Sequence, residues 1–151
     1  MRNVRTAALA AALVFFGGAP ALLAAASWLQ RAADAPLQVV AVCQSRTSRW
    51  EGGSIYSYSE MSVSRTIHGA APAALVVRQR GGEVDGTAQR VTHTSLLQPG
   101  ESYVLFLGKD DTSSWTPNSK GVNPIVAASD GTQTIGGEPL DEVLAALGAG
   151  N

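Results

Sequence analysis

Residues 55–68 read IYSYSEMSVSRTIH, and this stretch decides the fold. Ile55, Met61 and Val63 fall in one phase of a two-residue alternation, and Tyr56, Tyr58 and Glu60 fall in the other. That is the pattern of a strand with one buried face. Ile67 restores the first phase, but Arg65 interrupts it, which predicts a bulge or a barrel rim near Arg65. A strand of 14 residues far exceeds the usual length of about 5–6. Long, bent strands are what closing a small barrel demands.

The flanking segments fit the same barrel. Upstream, Glu51-Gly52-Gly53-Ser54 reads as a hairpin turn. Before it, residues 37–43 are apolar on both faces, as suits a central or barrel strand, and polar alternation continues to Arg49. Downstream, residues 69–72 turn the chain into a third strand at 74–80, followed by a glycine-rich loop at 81–86. Gln98-Pro99-Gly100-Glu101 is a type II turn signal leading into a buried strand at 103–107. Residues 108–121 are polar and read as a loop, and 122–127 as a final strand. The expectation is a mainly β chain, a small barrel of about five strands between two helices. Ser27 and Gln30 resemble a capping box for a helix of two turns at most, ended by Pro36. At the other end, a helix over 139–147 places Pro139 at its first position and Asp141 and Glu142 in its first turn. Leu140, Val143, Leu144 and Leu147 form its apolar stripe, and Gly148 stops it.

The N-terminal segment has a different purpose. Arg2 and Arg5 precede an apolar or small run over 6–26, the pattern of a secretory signal. Ala24-Ala25-Ala26 offers a cut that leaves Ser27 first, giving a leader of residues 1–26 and a domain of 27–151. Ala33-Asp34-Ala35 is a second possible site, but Pro36 would follow the cut, which signal peptidases handle poorly. The alternative is an uncleaved membrane anchor, although Gly17-Gly18-Ala19-Pro20 interrupts the run. The expected location is therefore secreted or periplasmic, with a membrane contact only if the segment stays. Abundant Ala and Gly, with nine Arg among the eleven basic residues, associate the chain with a GC-rich bacterial genome.

Composition narrows the chemistry. The formal net charge of −1 becomes −3 once residues 1–26 leave, with 9 basic against 12 acidic residues. That balance argues against nucleic acid as a partner. One Cys and two His exclude a disulfide scaffold and a Cys-rich zinc module, and neither a metal nor a cofactor is implied. No nucleophile elbow, zinc-protease, P-loop or dinucleotide motif occurs. Cys43 lies in an apolar strand and reads as a buried thiol, and His68 and His93 read as surface residues. A hydrolase using Cys43 is the enzymatic alternative. Glu83 and Asp85 could begin a Ca²⁺ site, but nothing supplies the remaining oxygens. Asp110-Asp111 reads as a solvated loop. The candidate binding surface is Trp50, Tyr56 and Tyr58 on the hairpin, with Gly81, Gly82, Glu83, Asp85 and Gly86 of the loop. The plainer alternative has the aromatics plugging the barrel ends, the glycines serving the turn, and Trp115 resting in the long loop.

Several segments taken in order carry a resemblance. These are Val39-Val40-Ala41-Val42, Ser48-Arg49-Trp50-Glu51-Gly52-Gly53, Ile55-Tyr56-Ser57-Tyr58, His68-Gly69, residues 81–86 and residues 99–107. Over roughly residues 27–128 they resemble exported bacterial single-domain proteins with an OB-like barrel. Those proteins are distantly similar to the netrin-like domain of tissue inhibitors of metalloproteinases. The resemblance implies an OB-like fold and a non-enzymatic interaction role, with a secreted or envelope protein, protease-like, as partner. An inhibitor or accessory protein of a secreted metalloprotease is the alternative. The inhibitors begin with a zinc-chelating Cys and carry several disulfides, whereas this chain has only Cys43. Inhibition here would proceed by loop insertion rather than chelation.

Overall fold

The computed structural model describes residues 19–150. Most of the expected leader lies outside the described residues, and its last part, 19–26, opens helix α1 (Ala19–Ala32). Nine strands and a second helix follow: β1 (Leu37–Glu51), β2 (Ser54–His68), β3 (Ala74–Arg80), β4 (Gly82–Val84), β5 (Thr87–Gln89), β6 (Ser102–Lys109), β7 (Trp115–Ala127), β8 (Gln133–Ile135), β9 (Glu138–Pro139) and α2 (Leu140–Ala149). Among the described residues, no helix is long and apolar enough to cross a membrane.

The sheet runs β3-β2-β1-β6-β7-β8-β9, and β3 also meets β7. Neighbouring strands in that order are antiparallel, whereas β3 and β7 are parallel and share the pair Val77–Trp115. Five strands therefore form a ring, in which a three-strand meander is closed through a fourth and fifth strand. This is an OB-like barrel. Closure needs bent strands, and the bends are bulges. Along β1, the partner moves from Arg65 to Val63 between Val40 and Ala41, and from His68 to Thr66 between Gln38 and Val39. Ser64 and Ile67 are the extra residues, so the bulges flank Arg65, where the alternation breaks.

β6 explains why the chain needs helices. Tyr103, Leu105 and Leu107 point into the barrel with Val39, Cys43 and Met61. Val104 and Phe106 point outward and are covered by Trp28, Ala32, Ile135, Val143, Leu144 and Leu147. A strand buried on both faces reads as a continuous apolar run, as residues 103–107 do.

Several local expectations need correction. Helix α1 begins at Ala19, which places Ser27 inside it rather than at its cap. The Ala- and Leu-rich residues before Ser27 are strong helix formers and extend the helix backward. Residues 81–86 are not an open loop, since β4 pairs with β5 around Asp85 (φ 50°) and Gly86 (φ 78°). Asp-Gly favours a two-residue hairpin turn with both central φ angles positive. The loop expected over 108–121 shrinks to a tight turn at 110–114, and β7 resumes at Trp115 against Lys109. Pro139 is the residue preceding α2 (φ −57°, ψ 129°), and Gly148 lies within the helix. Strands β8 and β9 are additions to the expected architecture.

A candidate binding face beside the first hairpin

The β1–β2 turn is built on Gly52 (φ 54°) and Gly53 (φ 81°), the two-residue geometry that matches strand twist. Its register aligns Arg49 with Tyr56 and Arg80, and Thr47 with Tyr58 and Arg78. Partners across a sheet share a face. Buried Ser57 and Gln79 take the opposite side, so Tyr56, Tyr58, Arg49 and Arg78 line the outer one. Trp50 pairs instead with fully buried Ile55, on the inward side of the hairpin, and at the tip it is 48% exposed. The structure therefore brings Tyr56 and Tyr58 together and sets Trp50 on the far side of the same ribbon.

Arg78 organises this face. Its guanidinium lies 3.6 Å from the Tyr56 ring centroid. Nη2 reaches Glu51 Oε2 at 3.0 Å, Nη1 reaches Asp110 Oδ2 at 2.9 Å, and Nε donates to Tyr58 Oη at 3.1 Å. Arg49 covers the other ring, 4.1 Å from the Tyr58 centroid, and its Nε lies 2.8 Å from Glu51 Oε1. Tyr58 Oη in turn donates to the Glu51 carboxylate. A planar guanidinium with its donors fixed in this way is oriented in advance of any contact. The Arg78 side chain is only 11% exposed, so replacing it would leave two carboxylates short of a partner.

The same network lowers two acids. Hydrogen bonds from Tyr58, Arg49 and Arg78 hold the Glu51 carboxyl down at about 2. Burial opposes the charge on Asp110, but bonds from the Thr112 hydroxyl, the Ser114 amide and Arg78 outweigh it and leave that carboxyl also at about 2. Asp110 Oδ1 accepts from Thr112 N at 2.9 Å, Thr112 Oγ1 at 2.7 Å and Ser114 N at 3.0 Å. This shapes the β6–β7 turn that Arg78 latches to β3. Both acids bind protons more weakly in the folded chain, so their stabilisation is complete above the ordinary carboxylate range and is lost as pH falls toward about 2. Urea midpoints at pH 7 and pH 3 should therefore differ more in the native chain than in Arg78→Met. An equal acid loss in both would disprove the assignment of that loss to this network.

The glycine pair supports the face rather than forming it. Gly81 and Gly82 are buried, and β4 packs against β1 and β2. Ser57 Oγ donates to Gly81 O at 2.7 Å, and Ile55 N donates to Gln89 Oε1 at 2.6 Å. Asp85 and Gly86 form the exposed tip of the ribbon, and Glu83, also exposed, pairs with Ala88 within it. Among the described residues, no three His, Cys, Asp or Glu side chains converge on a point where an ion would sit.

Cys43 sits in the barrel core, where burial pushes its thiol above the ordinary value; the thiol donates to Ser45 O at 3.5 Å. His68 pairs with Gln38, about 17 Å along β1 from Cys43. His93 is an exposed residue of the β5–β6 connection. Trp115 packs partly buried against the barrel core under Lys109, whose Nζ lies 4.0 Å from its ring centroid.

Sequence reasoning missed Arg49, Glu51, Arg78 and Asp110. The alternation of Arg78 and Arg80 on β3, set against that of Tyr56 and Tyr58 on β2, is the signal that was present. The register that aligns them is not written locally. Comparison with family models, with curated proteins and with solved structures finds no match to this chain.

Proposed function

We propose that this chain is a non-enzymatic protein-interaction module exported to the bacterial cell envelope, binding through the end of the barrel that carries the first hairpin. The pre-ordered Tyr58–Arg78–Glu51 network on one side of the hairpin, with half-exposed Trp50 on the other side of its tip, carries this reading. Tyr, Trp and Arg are the residues that dominate protein interfaces, and fixing them beforehand lowers the entropy cost of association. The positive start and the apolar run over 6–26 support export.

Binding of envelope proteins to the native chain, compared with Trp50→Ala and with a Glu83→Gln/Asp85→Asn pair, tests the surface. Trp50→Ala should weaken binding at least about tenfold, the loss of an interface aromatic. Its melting temperature should barely move, because the side chain is exposed. Full retention of the partner by both variants would remove the surface assignment.

A second reading, inhibition of a secreted metalloprotease by loop insertion, is favoured by one observation. The β4–β5 tip projects an exposed turn that its pairing holds rigid. A panel of secreted metalloproteases incubated with the chain decides it, since absence of inhibition throughout the panel excludes this reading.

A further inference from the structure

The parallel seam between β3 and β7 leaves an opening. Past the pair Val77–Trp115, a cleft of about 270 Å³ lies between the end of β3, residues 116–120 of β7 and residues 93–95 of the β5–β6 connection. Arg80, His93 and Lys120 line it from these three segments, among hydroxyls such as Thr94, Thr116 and Ser119. Among the described residues, no carboxylate lines it. A second cleft of about 390 Å³ adjoins it through Arg80 and Thr94, adding Arg46 and Arg90 against the single carboxylate of Glu83. Four of the nine basic residues of 27–151 thus gather in two joined concavities of an acidic domain.

These cations are not occupied by internal acids. Among the described residues, the ion pairs are formed by Arg49 and Arg78 alone. Arg80 donates to Ser54 Oγ at 3.1 Å and Arg46 to Leu97 O at 2.8 Å, contacts that leave the rest of each guanidinium open. Like charges held around one concavity repel, and an oxyanion placed between them relieves that repulsion while accepting charge-assisted hydrogen bonds. The first cleft falls just below the range of about 300–1,000 Å³ that takes drug-sized ligands, which suits a single anionic group on a small polar body.

We infer that the β3–β7 cleft is an oxyanion site for a carboxylate or phosphate borne on a small hydroxylated unit, with Arg80 and Lys120 as its charged donors. Arg80 borders the outer face through its register with Tyr56, but the cleft includes neither Tyr58 nor Arg78 and stands whether or not that face binds protein.

Amide shifts of the full chain, followed by NMR during titration with galacturonate, inorganic phosphate and uncharged galactose, test it. Saturable shifts at Arg80, Thr94 and Ser119 are expected with at least one of the anions. A response to galacturonate alone assigns a sugar carboxylate, to phosphate alone a phosphate group, and to both a general oxyanion site. Arg80→Gln and Lys120→Gln should each raise Kd about tenfold, as loss of a charge-assisted bond does, and Arg65→Gln on β2 should leave it unchanged. Because Arg80 and Lys120 are exposed, each variant should shift only the amides near the substituted residue and keep the native pattern elsewhere. No saturation by either anion, an equal response to galactose, or binding that survives the double substitution would overturn the assignment.

Discussion

Trp28→Ala should cost the fold about 3–5 kcal/mol, the range for removing a buried aromatic, and lower the urea midpoint accordingly. Trp28 is 4% exposed and meets Phe106 edge to face, with centroids 6.4 Å apart and planes at 71°. Its Nε1 donates to the Glu138 carboxylate, and Arg31 lies 4.7 Å from its ring centroid. One side chain therefore joins α1 to the outer face of β6 and to the chain entering α2. Trp28→Phe should recover most of the packing but not the bond to Glu138, and so fall between the native chain and Trp28→Ala. An unchanged midpoint in Trp28→Ala would show that α1 is not docked as described. If the chain were cut after Ala26, Trp28, Ala32 and Ala35 would stay with the domain, whereas a cut after Ala35 would strip all three from the outer core.

What the sequence made legible follows from the range of the interactions involved. The alternation over 55–68 and its break at Arg65 are local, so strand β2 and its bulges could be read directly. The apolar stripe Leu140, Val143, Leu144 and Leu147 is equally local, and all four residues are buried. By contrast, Lys109–Trp115 pairing and the Val77–Trp115 seam join residues whose neighbours give no periodic signal. Residues 116–120 line the cleft rather than the core, and their polarity reads as a loop. The Asp85-Gly86 turn was legible but outweighed by the glycines around it, which suggested freedom where there is close packing. The site followed the same division. Tyr56 and Tyr58 were visible as aromatics on a hairpin, whereas Arg78 became visible only when β3 was placed beside β2 and its guanidinium met Asp110 from a turn 32 residues away.

The glycine correction yields the other large effect. Gly82→Ala should destabilise by about 3 kcal/mol or more, combining backbone strain with overpacking. Gly82 has φ +138°, outside the range that L side chains adopt readily, and an added Cβ would stand 2.5 Å from both Ser48 Oγ and Ser57 Oγ. Those hydroxyls cannot simply turn away. They lie 2.9 Å apart in a hydrogen bond, and Ser57 also donates to Gly81 O. The ribbon would have to lift from β1 and β2, breaking the bond from Ile55 N to Gln89 as well. Gly86→Ala provides the comparison, because it too has positive φ (+78°) but meets nothing within 4 Å. It should cost only the left-handed backbone penalty, about 1–2 kcal/mol. Equal losses in the two variants would mean that the ribbon is not seated on the serine pair. The same contrast separates fold from recognition at this end of the barrel. Exchanging residues 81–86 as a block would dislodge the ribbon through Gly82, and any lost binding would then reflect lost structure. Substituting the exposed ribbon residues Glu83 and Asp85 leaves Gly82 on its serines and tests the surface alone.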